Sequence, residues 1–260
     1  MSENPPLIEE RDGKVAILTL NNPTKLNALS LEMRQILIAR VPQLVRDPEV
    51  GCILITGAGR GFSSGGDFST SDSTRSAVTT RESFRTAHTW IRELVGGETM
   101  VVTAVNGPAA GAGFGVALLG DYIICSDQAF FRSGFPSAGL APDYGLGWTL
   151  PRAVGAVRAR EILFSNRKVG AAEAVRIGLV TRVVPHDELM TEALAAARML
   201  ADMPYAMGMA KRMVRRSFET HLDAFLDEEA FSQAVAFGSQ DFVEGSKAFQ
   251  QKRPPAFKKT

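Results

Sequence analysis

The spacing of hydrophobic positions divides the chain into a longer part in which strands and helices alternate and a shorter part that is helical throughout. Two short segments at residues 7–11 and 15–20 flank Asp12 and Gly13, which predicts an antiparallel hairpin. Ser30 should cap a helix at 31–46, which Pro42 should kink or divide. Further elements are predicted at 52–56, 100–105, 121–125 and 180–184 as strands, and at 153–164 and 171–177 as helices. This alternation favours an α/β core.

After about residue 186 the apolar positions keep helical spacing only. Helices are predicted at 189–200, 207–218, 222–237 and 241–251, with a break at Met203 and Pro204. We therefore divide the chain into an α/β core over residues 1–190 and a C-terminal helical region over residues 191–260. The apolar faces of that region either dock on another subunit or pack on the core of the same chain, and the sequence leaves both open.

Composition and charge argue against several classes of function. The chain has 29 Lys and Arg against 28 Asp and Glu, so no overall basic field indicates a nucleic-acid partner. Cys52 and Cys125 lie in apolar runs and suit buried thiols in a reducing cytosol better than a disulfide, which favours a cytoplasmic location. No Cys/His cluster has metal-ligand spacing, and the longest apolar stretch is interrupted by glycines, Pro108 and Asp121, so no membrane span is expected.

Two glycine-rich turns carry the candidate chemistry. They are Phe62-Ser-Ser-Gly-Gly-Asp67 and Asn106-Gly-Pro-Ala-Ala-Gly-Ala-Gly-Phe-Gly115, and each follows a predicted strand. Glycine lets a main-chain N–H point at a ligand without an intervening side chain, and a helix that starts there adds its positive end. Two converging turns would therefore provide two donors for one developing oxyanion, which suits acyl chemistry.

Two other motifs in the same region are weaker. Residues 61–65 match G-x-S-x-G, but the nucleophile elbow must run directly into a helix, and here Gly66, Asp67 and Phe68 lead into a polar loop at 69–80. Serine-hydrolase chemistry at Ser63 is therefore disfavoured. The segments Gly57-Ala-Gly59 and Gly111-Ala-Gly113 lack the third glycine of a dinucleotide fingerprint, which argues against dinucleotide binding.

Asp143 stands in Gly139-Leu-Ala-Pro-Asp-Tyr-Gly145, at the predicted start of a helix. From the pattern alone, an N-terminal helix cap is favoured over a catalytic role. His88 is interpreted as a helix histidine with satisfied hydrogen bonds. Four aromatic residues suit either the core or an apolar acyl pocket: Phe131, Phe135, Tyr144 and Trp148.

These pieces, in this order, resemble the enoyl-CoA hydratase/isomerase (crotonase) family over nearly the whole chain. The matching motifs are Asn22-Pro-Thr-Lys25-Leu-Asn27-Ala-Leu-Ser30, Ile55-Thr-Gly57, Phe62-Ser-Ser-Gly-Gly-Asp67, Ala104-Val-Asn-Gly-Pro-Ala-Ala-Gly-Ala-Gly113, Gly139-Leu-Ala-Pro-Asp-Tyr-Gly145, Gly178-Leu-Val180 and Lys252-Arg-Pro-Pro-Ala-Phe257. No single motif is decisive, but the ordered set is highly specific.

The resemblance implies an α/β fold, a crotonase-type spiral of repeated ββα units with a C-terminal helical trimerisation region, assembled as a homotrimer or a dimer of trimers. It implies an acyl-CoA thioester substrate and no cofactor beyond the coenzyme A of that substrate. The N–H groups of Gly66 and Ala112 would hold the thioester oxygen, Lys25 and Leu26 would lie along the CoA nucleotide, and Lys252 would approach the CoA phosphates. The remaining substrate-binding candidates are Ser64, Asp67, Phe68, Gly111, Gly115, Phe135, Tyr144 and Trp148.

The departures from the family pattern decide the expected reaction. A hydratase of this family carries two glutamates, which should fall where this chain has Gly115 and Phe135. Neither residue can transfer a proton, so ordinary hydration is not expected. Asp143 instead resembles the acid of the family's isomerases, which predicts a catalytic base that moves a proton between C2 and C4 of a 3-enoyl thioester.

Three alternatives remain open at this stage. Asp143 could act as a nucleophile, as in the aromatic acyl-CoA dehalogenases of the family. The chain could hydrate enoyl-CoA with other acids, or bind CoA esters without catalysis. The polar loop at 69–80 is predicted to gate the pocket in each case.

Overall fold

The computed structural model describes residues 5–67 and 76–259 and contains two β-sheets within those ranges. The larger sheet has the strand order β1-β2-β3-β4-β6-β9, and the smaller one has the order β5-β7-β8. The strands are β1 (Leu7–Asp12), β2 (Val15–Leu20), β3 (Cys52–Gly57), β4 (Met100–Val105), β5 (Ala109–Ala110), β6 (Tyr122–Ser126), β7 (Phe130–Arg132), β8 (Lys168–Gly170) and β9 (Arg182–Val184). Strands β1 and β2 pair antiparallel, with Asp12 opposite Val15, which confirms the predicted hairpin. From β2 to β9 the pairs in the larger sheet are parallel.

Helices connect and cover the strands. They are α1 (Leu31–Arg46), α2 (Ala77–Ala87), α3 (Thr89–Gly96), α4 (Ala112–Ala117), α5 (Phe135–Ala138), α6 (Leu146–Val154), α7 (Ala156–Ser165), α8 (Ala171–Arg176), α9 (Leu189–Ala201), α10 (Ala206–Arg216), α11 (Leu222–Phe237) and α12 (Gln240–Gln250). The Ser30 hydroxyl accepts from the Met33 N–H and caps α1, as predicted. Pro42 does not divide that helix, because Val41 and Leu44 on either side of it are both buried in the core and hold the last turns in place.

The larger sheet buries both of its faces. Alternate residues of β3 point to opposite sides: Ile53 and Ile55 join the core beneath α1 and α3, whereas Cys52 and Leu54 join a second cluster. Helix α9 covers that second cluster with Leu189, Ala193, Ala197 and Ala201. Both cysteines are buried free thiols, and burial raises the pKa of each to about 12, which makes them unreactive at neutral pH.

The last helices contribute much less to this core. Met203 and Pro204 lie between α9 and α10, where the sequence predicted a break. Helix α11 matches its predicted bounds and contains no buried residue. Several of its large apolar side chains are exposed in this single chain, including Leu222, Leu226, Phe231, Val235 and Phe237.

Candidate functional site

A cavity of about 340 Å³ lies between the two glycine-rich turns, α1, α2 and the segment before α6. A volume of this size is sufficient for a small organic group. Its lining residues are Leu29, Leu31, Arg34, Ser64, Gly66, Asp67, Thr80, Ser83, Phe84, Ala110, Gly111, Ala112, Gly134, Phe135, Ala138, Leu140, Asp143 and Tyr144. The structure therefore brings Asp143, Gly66 and Ala112 to one cavity.

The two glycine-rich turns lie directly against each other. The Ala110 N–H donates to the Ser63 carbonyl at 2.9 Å, which ties the second turn to the first. Gly65 has a φ of +99°, and a Cβ placed on it would lie 2.8 Å from the Ala110 carbonyl oxygen and 3.1 Å from the Ala112 nitrogen. A side chain at position 65 would therefore push the turns apart, which explains the requirement for glycine.

The N–H groups of Gly66 and Ala112 are available to a ligand. Ala112 is the first residue of α4, so the helix itself offers its N–H no acceptor. Within residues 5–67 and 76–259, no carbonyl oxygen accepts a hydrogen bond from either N–H. Gly111 precedes α4 with a φ of +54°, and this turn directs the start of the helix towards the cavity.

Asp143 does not cap a helix, contrary to the interpretation favoured from the bare motif. Helix α6 begins at Leu146, and its N-cap is Gly145, so Asp143 lies two residues before the capping position. The Asp143 Oδ1 atom is buried and has no hydrogen-bond partner in the described residues. Burial raises the pKa of Asp143 to about 6, while its own backbone N–H and the charge of Arg34 partly oppose that rise. A partly desolvated carboxyl group with such a pKa suits proton transfer near neutral pH.

Tyr144 anchors the segment that carries Asp143. Its φ of +48° is rare for a bulky residue and marks local backbone strain. The ring is buried edge-on against His88 and Trp90, with centroids 6.1 Å away in each case. Burial also raises the pKa of the Tyr144 hydroxyl and lowers that of His88. His88 Nε2 is buried without a hydrogen-bond partner in the described residues, so the prediction of a satisfied helix histidine was wrong.

Gly115 supports the same segment from the opposite side. A Cβ at position 115 would lie 2.8 Å from both the Cβ and the carbonyl oxygen of Tyr144, and 3.1 Å from the Asp143 carbonyl oxygen. The space that the resemblance assigns to a hydratase glutamate is thus filled by the backbone of residues 143 and 144. Phe135, at the other glutamate position, is buried and lines the cavity.

The other predicted binding residues differ in how close they lie to the cavity. Ser64, Asp67, Gly111, Phe135 and Tyr144 line the cavity. Lys25 lies beside it, with Nζ 3.0 Å from a carboxylate oxygen of Asp67, and Leu26 packs against Gly61 in the adjoining turn. Phe68 and most of the predicted gating loop lie outside the described residues.

Trp148 and Lys252 do not line this cavity. The Arg152 guanidinium lies 3.7 Å from the centroid of the Trp148 ring, whose N–H donates to Glu219. The left-handed turns at Tyr144 and Gly145 reverse the chain before α6, so Trp148 faces away from Asp143. Lys252 follows α12, and the tail after it is tied to that helix by the ion pair of Arg253 with Glu244.

Sequence reasoning missed the residues of two helices, α1 and α2, that line the cavity. Thr80, Ser83 and Phe84 share one face of α2, and Leu31 and Arg34 share one face of α1. Spacing by three and four positions could have grouped these residues. Nothing in the sequence shows which helix faces meet.

The motif at residues 61–65 is not a nucleophile elbow. Ser63 is fully buried, and its hydroxyl donates to the Asn27 carbonyl at 2.8 Å. The hydroxyl therefore holds the first turn against residues 25–29 and is not presented to a substrate. Among the described residues, no group of three metal-ligating side chains is assembled, and no helix has the length and apolarity needed to cross a membrane.

Comparison with known sequences agrees with this geometry. The sequence profile of the enoyl-CoA hydratase/isomerase family matches residues 10–260. A Mycobacterium bovis protein named as a probable enoyl-CoA hydratase is 38% identical over 253 residues, which cover 96% of this chain and 97% of that protein. The 1,2-epoxyphenylacetyl-CoA isomerase of Escherichia coli is 38% identical over 247 residues, which cover 94% of each chain.

Solved structures show the same architecture. An enoyl-CoA hydratase from Polaromonas superposes with a TM-score of 0.91 at 29% identity, covering 96% of this chain and 99% of that one. An enoyl-CoA hydratase from Bacillus anthracis also superposes with a TM-score of 0.91, at 26% identity, covering 98% of this chain and 100% of that one. The predicted crotonase-type α/β fold is therefore confirmed.

Proposed function

The chain belongs to the enoyl-CoA hydratase/isomerase family, and from that premise we propose that it moves a carbon–carbon double bond along the acyl group of an enoyl-CoA thioester. The observation that carries this proposal is the Asp143 carboxyl group. It lines the cavity shared with the N–H groups of Gly66 and Ala112, its Oδ1 has no hydrogen-bond partner among the described residues, and its pKa is raised to about 6.

The reaction needs one base and two backbone donors. The Asp143 carboxylate takes a proton from C2 of a 3-enoyl thioester, and the electrons of that C–H bond form a dienolate. The negative charge that develops on the thioester oxygen is stabilised by the N–H groups of Gly66 and Ala112. Protonated Asp143 then returns the proton to C4, which leaves the double bond between C2 and C3. Bonds, protons and charge balance without water or a cofactor.

Both contributions are of useful size. A positioned group that transfers a proton typically accelerates a reaction by about 10²- to 10⁴-fold. Each oxyanion donor typically contributes about 10²- to 10³-fold. A base with a pKa near 6 is largely ionised at pH 7 and is still basic enough to take a proton from an activated C–H group.

Hydration is the second candidate, because several relatives are named as enoyl-CoA hydratases. The family resemblance implies that hydratases activate water with two glutamates, which would fall at the positions of Gly115 and Phe135. Neither residue carries an acid, and Tyr144 fills the space beside Gly115. Asp143 alone would then have to activate water, which a separate product assay can detect.

The test is a turnover assay of purified protein with a 3-enoyl-CoA and its 2-enoyl isomer, in which the products are separated. We expect double-bond migration that is lost in Asp143→Asn while binding of the CoA ester persists. A hydroxyacyl product that survives Asp143→Asn would contradict the isomerase proposal. Covalent labelling of wild type by a ring-halogenated aromatic acyl-CoA, with release of halide and with no labelling of Asp143→Asn, would indicate the nucleophile mechanism instead.

We also propose that the chain acts as a homotrimer or a dimer of trimers. Helix α11 has no buried residue and presents Leu222, Phe231 and Phe237 to solvent in the single chain. Apolar patches of this extent are rare on monomers and are typical of subunit interfaces. Sedimentation equilibrium should give a mass of three or six chains, and a single-chain mass would contradict the assembly.

A further inference from the structure

The cavity also carries polar groups that the proposed reaction does not use. Arg34 on α1 and Thr80 and Ser83 on α2 all line it. In the described part of the chain, the hydroxyl groups of Thr80 and Ser83 make no hydrogen bond. The wall around them includes the apolar residues Leu29, Leu31, Phe84, Phe135, Ala138 and Leu140, and the carboxyl groups of Asp67 and Asp143 line the same cavity.

Arg34 is the informative member of this group. Its Nε donates to the Ser30 carbonyl at 3.4 Å, which is a long hydrogen bond. Within residues 5–67 and 76–259, no carboxylate lies close enough to form an ion pair with it. Its guanidinium lies within hydrogen-bonding reach of the Tyr144 hydroxyl, and its charge lowers the pKa values of Asp143 and Tyr144, so it lies on the side of the cavity that carries residues 143 and 144.

A guanidinium at the edge of an apolar pocket is costly to desolvate unless a ligand supplies an acceptor. Carboxylates are the preferred partners, because two parallel N–H donors of the fork match their two oxygens. We propose that Arg34, with Thr80 and Ser83 beside it, binds a carboxylate at the distal end of the acyl group. The substrate class is then the CoA thioester of a short dicarboxylic acid. This inference rests on the proposed acyl-CoA substrate and is independent of which reaction Asp143 performs.

Binding of unreactive esters tests the assignment without turnover. The probes are adipoyl-CoA, which carries a terminal carboxylate, and its methyl ester, which does not; neither has a double bond to move. Dissociation constants are measured by calorimetry for wild type, Arg34→Met and Arg34→Gln. Arg40→Met is the matched control, because Arg40 lies on the same helix and pairs with Glu9 away from the cavity.

We expect wild type and Arg40→Met to bind adipoyl-CoA at least about tenfold more tightly than the methyl ester, as is typical of hydrogen bonds to charged groups. Both Arg34 variants should lose that preference and keep the affinity for the methyl ester within about threefold. Arg34→Gln guards against a packing effect, because it keeps the polar side chain and removes the charge.

Two results would overturn the assignment. Equal affinity of wild type for the two esters would show that no carboxylate subsite exists. If the Arg34 variants bound both esters more weakly by the same factor, the guanidinium would support the fold of the site and would not recognise a carboxylate. Failure of wild type to bind either ester, or plain acetyl-CoA, would instead refute the acyl-CoA substrate itself and therefore both proposals.

Discussion

Gly115 in α4 lies so close to Tyr144 that a Cβ at position 115 would approach the Tyr144 Cβ to 2.8 Å. Tyr144 cannot retreat, because its ring is packed against His88 and Trp90 and its backbone already has a φ of +48°. The position of the Asp143 carboxyl group is therefore coupled to the absence of a side chain at residue 115. A glutamate at position 115 is therefore incompatible with the present position of Asp143.

Substitution of Gly115 should disturb the site without touching a reacting group. We expect Gly115→Ala to lower the free energy of unfolding by about 1–3 kcal/mol, which is typical of overpacking. It should also lower kcat by about 10²-fold, because Asp143 moves. The control is Gly96→Ala in α3, where a Cβ meets nothing within 4 Å. Gly115→Ala with wild-type kcat would show that the contact does not position Asp143.

The activity should depend on a single ionisation with a pKa near that of Asp143. Since the base must be ionised, kcat/KM should fall about tenfold per pH unit below pH about 6 and be flat above it. The charge of Arg34 lowers the pKa of Asp143, so Arg34→Met should move this limb to higher pH. The measurement is a pH profile of kcat/KM with a neutral 3-enoyl-CoA. A profile unchanged by Arg34→Met would contradict the coupling of the two groups.

The Asp143 carboxyl group should make the free energy of unfolding fall as the pH rises, whereas an ion-paired aspartate would make it rise. Burial raises the pKa of Asp143 from 3.8 to about 6, so the folded protein holds this proton more tightly than the unfolded chain does. Ionisation therefore opposes folding, with no penalty below pH about 4 and the full penalty above pH about 6.

Asp143→Asn removes this penalty. The free energy of unfolding of the variant, relative to that of wild type, should be about 2–3 kcal/mol higher at pH 8 than at pH 4. Denaturant unfolding of both proteins at the two pH values measures this difference. Effects of the substitution that do not depend on pH cancel in the comparison. A difference that is equal at both pH values would show that the carboxyl group is not desolvated.

The N–H of Ala112 can be removed with little damage to α4. Ala112 is the first residue of that helix, where proline is tolerated because the N–H has no helical acceptor. Ala112→Pro should lower kcat by about 10²- to 10³-fold, as expected for an oxyanion donor. Ala156→Pro is the matched control, because Ala156 begins α7 after Gly155, which also has a positive φ. Comparable activity of the two proline variants would rule out this role for the Ala112 N–H.

The hairpin, the bounds of α11 and the alternating strands of the sheet are encoded locally and could be read from the sequence. Gly13, with its positive φ, forms a tight turn with Lys14, and apolar periodicity distinguishes strand from helix. The glycine-rich turns were recognisable for the same reason, because only glycine permits the backbone geometry at Gly65 and Gly111. The ordered motifs then indicated the family and placed Asp143, Gly66 and Ala112 as candidates.

Tertiary packing decided what those residues can do. The sequence before α6 is equally compatible with a helix cap. The left-handed conformations of Tyr144 and Gly145 place Asp143 outside the capping position and direct Trp148 away from the cavity. The sequence shows Arg34 and Ser83 only as residues of two helices, and the packing of α1 against α2 brings both to the cavity. The physical reason is that a turn or a period depends on neighbouring residues, whereas the burial of a carboxyl group and the direction of a side chain depend on segments far apart in the chain.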